Sequence, residues 1–499
     1  MVPVPMQLPL PIAELQLPAE AAILPPRGRR IYCNRSLRFD QVSMVGFDMD
    51  YTLAMYEQDA MDRLSIEWTA RKLVERGYPE ALLTMPYRTD FPIRGLLVDR
   101  KLGNVLKMDR YKYVKKAFHG MRELSREERR SLYHTKRLRP GTRRYHWVDT
   151  LYALSEVSVY AAVVDELERD GVRVDYDELF SHVRDCIDMA HRDGSILDAV
   201  LSNLPQYVVR DEELGETFHK LRSAGKRLFL LTNSHWAYTD RMMSYLLDHQ
   251  MPEYATWRGY FDLIITASGK PGFFTENRPF QEVTADGTLR KASTFERGRV
   301  YAGGNIAELE RRLGVPGDGI LYVGDHIYGD VLRAKKESGW RTAMIIQDMS
   351  AELAILDRNA EAFDRIDALE ELRDTLVHEL RARQLGLKDV QRRIDDAVAA
   401  QQPPDPTHEA ARVRHRKAID RLRARLRAAE LEIDQIEDEV DRQFHPFWGS
   451  MFKAGPEVSS FGDQVEVYAC LYTDRVSNLL GYSPMHYFRS PRDRMPHEL

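Results

Sequence analysis

Short apolar runs that end in acidic or small polar residues most constrain the fold of this 499-residue chain. The first run leads into Asp48-Met49-Asp50, so two carboxylates stand on either side of one residue. Three further runs lead to Thr232-Asn233-Ser234, to Lys270, and to Asp325 with Asp330 close behind it. Buried parallel strands have such continuous apolar runs, and open α/β sheets bind ligands beyond the carboxyl ends of their strands. The runs therefore predict a parallel sheet with a polar site along one edge.

The carboxylate pair suits phosphoryl transfer, because one carboxylate can attack phosphorus while the other moves protons. The pair alone leaves an alternative open, since Asp48 and Asp50 could simply close a strand and cap a helix. The small polar side chains of residues 232–234, with free backbone N–H groups, could hold phosphate oxygens. Asp325 could complete a magnesium site with Asp48, because Mg²⁺ prefers oxygen ligands.

The order of these motifs resembles that of the haloacid dehalogenase-like phosphohydrolases. The flanking residues resemble those of the cytosolic purine 5′-nucleotidases, from about Leu37 to the ending Met495-Pro-His-Glu498. The similar stretches are Phe47-Asp-Met-Asp-Tyr-Thr-Leu53, Thr232-Asn-Ser234, Lys270-Pro-Gly-Phe-Phe274, Tyr301-Ala-Gly-Gly304 and Gly324-Asp-His-Ile-Tyr-Gly-Asp330. The resemblance implies hydrolysis of purine nucleoside 5′-monophosphates, with transfer of the phosphate to a nucleoside acceptor as a further activity.

The resemblance also implies a role for each matching residue of the catalytic centre. Asp48 would be the nucleophile that forms an aspartyl-phosphate, and Asp50 would protonate the leaving nucleoside oxygen and later take a proton from water. The carboxylates of Asp48 and Asp325, with the backbone carbonyl of Asp50, would hold Mg²⁺. The phosphoryl group would be bound by Thr232, Asn233, Ser234 and Lys270, with Asp330 orienting Lys270 or a metal-bound water.

Substrate choice is expected to depend on an inserted cap. The stretch 183–191, which ends at His191, resembles the family's purine-contacting helix. There Arg184 would donate to the 6-oxo group and N7, Asp188 would accept from a ring N–H, and Tyr152 would stack on the base. These contacts favour IMP and GMP over AMP as substrates. Spacing alone instead favours a surface ion pair between Arg184 and Asp188, which lie four residues apart on one helical face.

An effector site is a further expectation from the resemblance. The relatives bind nucleotide effectors near residues that match Tyr328 and Lys336, and Asp149 replaces an amide there. A solvated Lys336 with no effector role is the alternative.

The chain divides into five predicted parts. They are a Pro-rich arm (1–35), a doubly wound α/β core (36–58 and 200–350), an inserted α/β cap (59–199), a coiled-coil-like helical hairpin (351–445) and a C-terminal segment packed on the core (446–499). Within the cap, we expect a β-hairpin around Lys101 to Asn104 and helices over 147–167 and 176–191.

The helical hairpin is predicted from charged, alanine-rich sequence that a Pro-rich break at 402–406 interrupts once. In the second arm, apolar residues from Ile419 to Val440 alternate at spacings of three and four, as in a heptad repeat. An intramolecular helix pair is favoured. Self-association through the hairpin is the alternative, and both together would give a homo-oligomer, a dimer or a tetramer.

Composition excludes several classes of protein. The net charge of −5 does not predict a basic surface, so nucleic acid is not an expected partner. No apolar run approaches the roughly 18 residues of a membrane span. Three scattered cysteines and the absence of a signal-peptide pattern at the start predict a cytoplasmic protein with reduced thiols.

Three hypotheses follow. The first is a Mg²⁺-dependent purine 5′-nucleotidase. The second is a haloacid dehalogenase-like phosphatase for another phosphomonoester, such as a sugar phosphate. The third is a non-catalytic interaction protein that uses the hairpin and retains a decayed phosphatase core.

Overall fold

The computed structural model describes residues 25–133, 138–284, 286–403 and 405–491. Most of the predicted Pro-rich arm, residues 1–24, and the ending from Met495 to Glu498 lie outside the described residues. Among the helices that are described, none combines the length and the apolar character that crossing a bilayer requires.

The strands are numbered in chain order. They are β1 (Tyr32–Cys33), β2 (Leu37–Arg38), β3 (Met44–Phe47), β4 (Met55–Tyr56), β5 (Leu96–Asp99), β6 (Asn104–Met108), β7 (Val114–His119), β8 (Arg122–Glu123), β9 (Tyr145–Val148), β10 (Val208–Val209), β11 (Arg227–Leu231), β12 (Leu263–Thr266), β13 (Phe280–Val283), β14 (Leu289–Lys291), β15 (Val300–Gly303), β16 (Ile320–Gly324), β17 (Arg341–Ile345), β18 (Lys453–Ala454), β19 (Glu457–Val458), β20 (Leu471–Thr473) and β21 (Tyr487–Phe488).

The α-helices are numbered in the same way. They are α1 (Gln58–Glu75), α2 (Arg126–Tyr133), α3 (Leu154–Arg169), α4 (Tyr176–Arg192), α5 (Ser195–Ser202), α6 (Leu204–Tyr207), α7 (Leu214–Ser223), α8 (Trp236–Leu247), α9 (Gly272–Thr275), α10 (Ile306–Leu313), α11 (Arg333–Ser338), α12 (Met349–Arg358), α13 (Ala360–Ala399), α14 (Pro406–Phe444) and α15 (Ser460–Tyr468).

The main sheet has the strand order β1-β20-β17-β16-β3-β11-β12-β15-β13-β14. The strands from β20 to β15 pair in parallel, and antiparallel pairs extend the sheet at both edges. All residues of β3 are buried, and the chain order reverses around it, with β11 on one side and β16 on the other. This doubly wound α/β sheet confirms the predicted fold class, and the reversal opens a crevice at the carboxyl end of β3.

A large unit is inserted between β4 and β10. These two strands pair antiparallel, so the chain leaves the core and returns to it side by side. The inserted unit contains an antiparallel sheet, β8-β7-β6-β5-β9, and the packed helices α1, α3 and α4. The hairpin expected around Lys101 to Asn104 is formed by β5 and β6.

The helix predicted to begin at Trp147 begins later. Trp147 and the next residue belong to β9, because their backbone pairs with β5 in the inserted sheet. The Thr150 hydroxyl then accepts a hydrogen bond from the Ala153 amide at 3.2 Å, which caps a short 3₁₀ turn ahead of α3. Pairing with a buried strand therefore overrides the helical periodicity of these first residues.

The C-terminal helices form a hairpin in which α13 packs on α14, with Leu369, Ala429 and Ile433 in its buried seam. The prediction of a single break is wrong, because a second break at Asn359 separates α12 from α13. There the amides of Asn359 and Gln443 pair through two hydrogen bonds of 2.9 and 3.0 Å. The Asn359 side chain also donates to the Ile355 carbonyl at 2.9 Å, and such a local bond to the backbone competes with helix continuation.

The segment after α14 contacts both the main sheet and the inserted unit. Its strand β20 lies beside β17, and β21 pairs with β2. Trp448 is fully buried, and its indole N–H donates to the Phe91 carbonyl at 2.7 Å. Its ring centroid lies 4.6 Å from that of Phe118 in β7. The last part of the chain thus packs against both the insertion and the core.

Replacing Trp448 by alanine should therefore destabilise the protein. Loss of a fully buried aromatic side chain lowers the free energy of unfolding by about 3–5 kcal/mol. Urea denaturation followed by circular dichroism measures the change. Met485 is 71% exposed, and Met485→Ala should change stability by less than about 0.5 kcal/mol. Similar losses in the two variants would contradict the packing role of Trp448.

Candidate active site

Adjacent strands of the main sheet bring the predicted motifs to the same edge. The central strand β3 is paired in parallel with both β11 and β16. Asp48 follows β3, Thr232 follows β11, and Asp325 follows β16, each immediately after its strand. The next strand, β12, leads into the loop that carries Lys270. The sheet therefore gathers residues that are far apart in sequence.

Asp48, Asp325 and Asp330 form a carboxylate cluster, each offering one oxygen within 4.8 Å of the others. Asp330 reaches this position because residue 324 is glycine, where a Cβ would lie 2.7 Å from the Asp330 side chain. Carboxylate oxygens are the ligands that Mg²⁺ prefers in proteins. The cluster fits a divalent cation, and it contains Asp330, which the resemblance placed outside the direct metal ligands.

Lys270 lies between two of these carboxylates. Its Nζ is 2.9 Å from Asp48 Oδ1 and 2.7 Å from Asp330 Oδ1, and it donates to the Tyr322 hydroxyl at 2.8 Å. Burial alone would lower the pKa of Lys270, yet Asp330 and Asp48 raise it above its usual range. The side chain is therefore an ammonium held against the proposed nucleophile.

Burial disfavours the ionised forms of Asp48 and Asp325. Burial raises the pKa of Asp48 well above its usual range, although Lys270 acts in the opposite direction. Burial, followed by the charge of Asp330, raises the pKa of Asp325 to about 7. The pKa of Asp325 stays raised although His326, Arg94 and Lys270 all act to lower it, so added positive charge at the cluster would favour its ionised form.

Asp50 lies outside this cluster and is held by hydroxyl groups. The Tyr56 hydroxyl donates to Asp50 Oδ1 and the Ser234 hydroxyl donates to Oδ2, each at 2.6 Å. The Tyr238 hydroxyl lies 3.0 Å from that of Tyr56 and extends the network. Two donors fix the carboxyl group in one orientation, as a group that transfers protons requires.

The residues predicted to bind phosphate have other contacts in this structure. Thr232 is fully buried, and its hydroxyl accepts from the Ser234 amide at 3.1 Å. The Asn233 side chain accepts from the Lys270 amide at 2.7 Å and donates to the Lys270 carbonyl at 3.0 Å. Asn233 therefore fixes the Lys270 loop. The role of these side chains in phosphate binding stays a prediction.

A cavity of about 730 Å³ joins the catalytic centre to the inserted unit. On the insertion side it is lined by Tyr152, Glu156, Arg184 and His191, and on the core side by the carboxylates and Lys270. The Tyr152 hydroxyl lies 2.9 Å from His191 Nδ1. The structure thus brings three predicted substrate residues, Tyr152, Arg184 and His191, to the catalytic centre.

Arg184 does not form the ion pair with Asp188 that spacing alone favoured. Its Nη1 lies 3.1 Å from each ring nitrogen of His146, and its Nε lies 3.9 Å from Glu156 Oε2. Burial, with Arg184 beside it, lowers the pKa of His146 to about 4, so this ring is neutral. Among the described residues, Asp188 is half-buried and does not line the cavity.

The predicted effector residues are separated. Asp149 and Tyr328 line the active cavity itself, and Asp149 Oδ2 lies 3.3 Å from His326 Nε2. Lys336 is exposed on α11, where its Nζ lies 5.9 Å from the centroid of the Tyr468 ring. An effector site that includes all three residues is therefore not assembled in this structure.

Sequence reasoning missed Tyr56, Glu156 and His326. Tyr56 could not be identified because its role depends on contact with Asp50, and no motif spacing links them. Glu156 had a weak signal in the sequence. It follows Tyr152 by four residues, so the two would share one face of the helix predicted over residues 147–167. His326 stands beside Asp325 within a motif that had already been singled out.

Comparison with known proteins identifies relatives along most of the chain. Residues 31–499 match the model of the 5′ nucleotidase family. A 5′-nucleotidase domain-containing protein of Dictyostelium discoideum is 28% identical over 487 residues, which cover 94% of this chain and 74% of that protein. Human 5′-nucleotidase domain-containing protein 2 is 31% identical over 363 residues, covering 69% of this chain and 68% of the relative.

Solved structures also match. A predicted phosphoglycolate phosphatase from Haemophilus somnus is 12% identical and has a TM-score of 0.27, with 61% of this chain and 85% of that chain covered. A haloacid dehalogenase-like hydrolase from Xanthomonas campestris is 10% identical, with a TM-score of 0.24 and coverage of 61% and 82%. The match to the family model extends over nearly the whole described chain, and the doubly wound sheet agrees with it. The chain therefore belongs to the 5′ nucleotidase family.

Proposed function

We propose that the protein hydrolyses purine nucleoside 5′-monophosphates, preferring IMP and GMP, in a Mg²⁺-dependent reaction with an aspartyl-phosphate intermediate. One observation carries this proposal. A single cavity holds Asp48, Asp50 and Lys270 at one end and Tyr152 with Arg184 at the other. Phosphoryl-transfer residues and base-binding residues therefore face the same ligand space. Membership of the 5′ nucleotidase family supports this pairing.

The base would bind on the insertion side. Tyr152 offers a flat aromatic face for stacking. Arg184 has donors for the 6-oxo group and N7 of hypoxanthine or guanine, and its contact with neutral His146 holds it in place. A 6-amino group would present a donor to Arg184, an unpaired contact that costs about 1–3 kcal/mol. IMP and GMP are therefore favoured over AMP.

In the first step, Asp48 attacks phosphorus and the bond to the nucleoside oxygen breaks. Asp50 gives its proton to that oxygen, and Lys270 offsets the negative charge of the phosphoryl group. Asp48, Asp325 and Asp330, with the Asp50 carbonyl, would hold Mg²⁺. When bound, the metal supplies positive charge that reduces repulsion between the nucleophile and the phosphate dianion.

In the second step, a water molecule attacks the phosphorus of the aspartyl-phosphate. Asp50, now ionised, takes a proton from this water, phosphate leaves, and the Asp48 carboxylate is restored. The hydroxyls of Tyr56 and Ser234 keep Asp50 in place for both proton transfers. One residue thus acts first as an acid and then as a base.

Phosphate release tests this proposal directly. We expect IMP and GMP to be hydrolysed faster than AMP, UMP and ribose 5-phosphate, with activity lost when EDTA removes Mg²⁺. Asp48→Asn keeps the size of the side chain but removes the nucleophile, so its rate should fall about a thousandfold or more. Equal rates on all substrates would contradict the purine preference. Near-normal turnover by Asp48→Asn would refute the mechanism.

Tyr56→Phe tests the positioning of Asp50. The variant loses one hydrogen bond to a carboxylate, worth about 1.5–3 kcal/mol, so kcat/KM for IMP, which reports the steps up to phosphorylation of Asp48, should fall about 10- to 100-fold. The value of kcat/KM for p-nitrophenyl phosphate should change much less, because its leaving group needs little protonation. Tyr245→Phe is the matched control, since the one hydrogen bond of its hydroxyl among the described residues is to the Val208 backbone carbonyl, at 3.4 Å. A similar loss on both substrates would contradict a positioning role for Tyr56.

A cytoplasmic homo-oligomer that does not bind nucleic acid stays part of this proposal. The helical hairpin supports self-association, because leucine and valine side chains remain exposed on it after its inner seam is paired. These include Leu372, Leu385, Val413 and Leu431. Cys186 and Cys470 are buried thiols outside any disulfide, in keeping with a reducing compartment.

A further inference from the structure

Glu156 is a buried acid with an unsatisfied oxygen inside the active cavity. It lies in the first turn of α3 and lines the cavity, and only 2% of its surface is exposed. Its Oε2 has no hydrogen-bond partner among the described residues. The nearby Arg184 Nε, at 3.9 Å, is too distant to donate a hydrogen bond. A buried carboxylate without a donor is unfavourable, so a donor from a ligand would be stabilising.

The electrostatics of Glu156 agree with this geometry. Burial raises the pKa of the Glu156 carboxyl to about 7, although Arg184 lowers it. An N–H group from a ligand would hydrogen-bond to the ionised form and restore it. Glu156 is thus available to accept a hydrogen bond, unlike Asp50, whose two oxygens are already paired.

Arg184 and Glu156 place a donor beside an acceptor. A 6-oxopurine presents the complementary order along its edge, with the acceptor O6 next to the donor N1–H. Guanine adds a 2-amino donor on the other side of N1–H, so two adjacent donors match the two oxygens of one carboxylate. Hypoxanthine lacks this second donor.

We propose that Glu156 is a specificity-determining residue that accepts hydrogen bonds from N1–H and the 2-amino group of guanine. Glu156 then takes the acceptor role that the family resemblance implied for Asp188, which does not line the cavity. The inference rests on the proposed nucleotidase function and identifies the residue that recognises the base. It makes GMP the favoured substrate over IMP.

Glu156→Gln tests the inference. The amide preserves the size of the side chain, but it replaces one acceptor by an NH₂ donor that opposes the guanine donors. We expect the ratio of kcat/KM for GMP to that for ribose 5-phosphate to fall at least tenfold. The same ratio for IMP should fall less, and the value for ribose 5-phosphate should stay within about twofold. These ratios do not depend on the fraction of enzyme that is correctly folded.

Glu166→Gln is the matched control on the same helix, because Glu166 pairs with Arg169 and does not line the cavity. It should leave every ratio unchanged. Unchanged ratios in Glu156→Gln would overturn the inference and leave the nucleotidase proposal intact. Equal losses of the ratio for GMP and for IMP would also overturn the inference. Glu156 would then act only through Arg184 or N1–H, which both substrates share, and not through the 2-amino group of guanine. A wild-type enzyme that hydrolyses ribose 5-phosphate as fast as GMP would refute the nucleotidase proposal itself.

Discussion

The ion pairs of Lys270 with Asp48 and Asp330 are the interaction on which the rest of the site depends. Burying these charges is tolerable only because they neutralise one another at 2.9 and 2.7 Å. Several features of the chain serve this arrangement. Asn233 fixes the Lys270 loop through two hydrogen bonds, and glycine at position 324 leaves space for Asp330. The proposed nucleophile, Asp48, is therefore held in place by the same contacts that make the buried charges stable.

The fold separates reaction from selection. The strands of the core lead to the residues proposed to act on phosphorus, and the inserted unit carries Tyr152, Glu156 and Arg184, which are proposed to bind the base. The paired strands β4 and β10 connect the two parts, and Tyr56 of β4 contacts Asp50 directly. The connection between core and insertion thus contributes a residue to the catalytic centre. A change at this connection is expected to alter proton transfer as well as cap position.

The core could be predicted from the sequence because buried parallel strands leave a local signal. Each apolar run ends at a polar residue, and parallel pairing of the strands is enough to bring those ends to one edge of the sheet. The sequence of the inserted unit predicts its contacts less well, because the partners of its side chains depend on tertiary packing rather than on local spacing. The resemblance placed Arg184 and Asp188 together at the base, and spacing alone favoured an ion pair between them. Arg184 instead lies beside Glu156 and His146 on other elements. Likewise, because β9 pairs with β5, Trp147 belongs to a strand and α3 begins later in the chain.

In the proposed mechanism, Asp48 becomes phosphorylated during turnover. The most direct measurement is a rapid acid quench of enzyme that is hydrolysing phosphate-labelled IMP, followed by proteolysis and mass spectrometry. We expect a phosphate on the peptide that contains Asp48, formed and lost at rates that match turnover, and no labelled peptide from Asp48→Asn. A protein that carries no label while product accumulates, or that carries it on another residue, would refute an aspartyl-phosphate at Asp48.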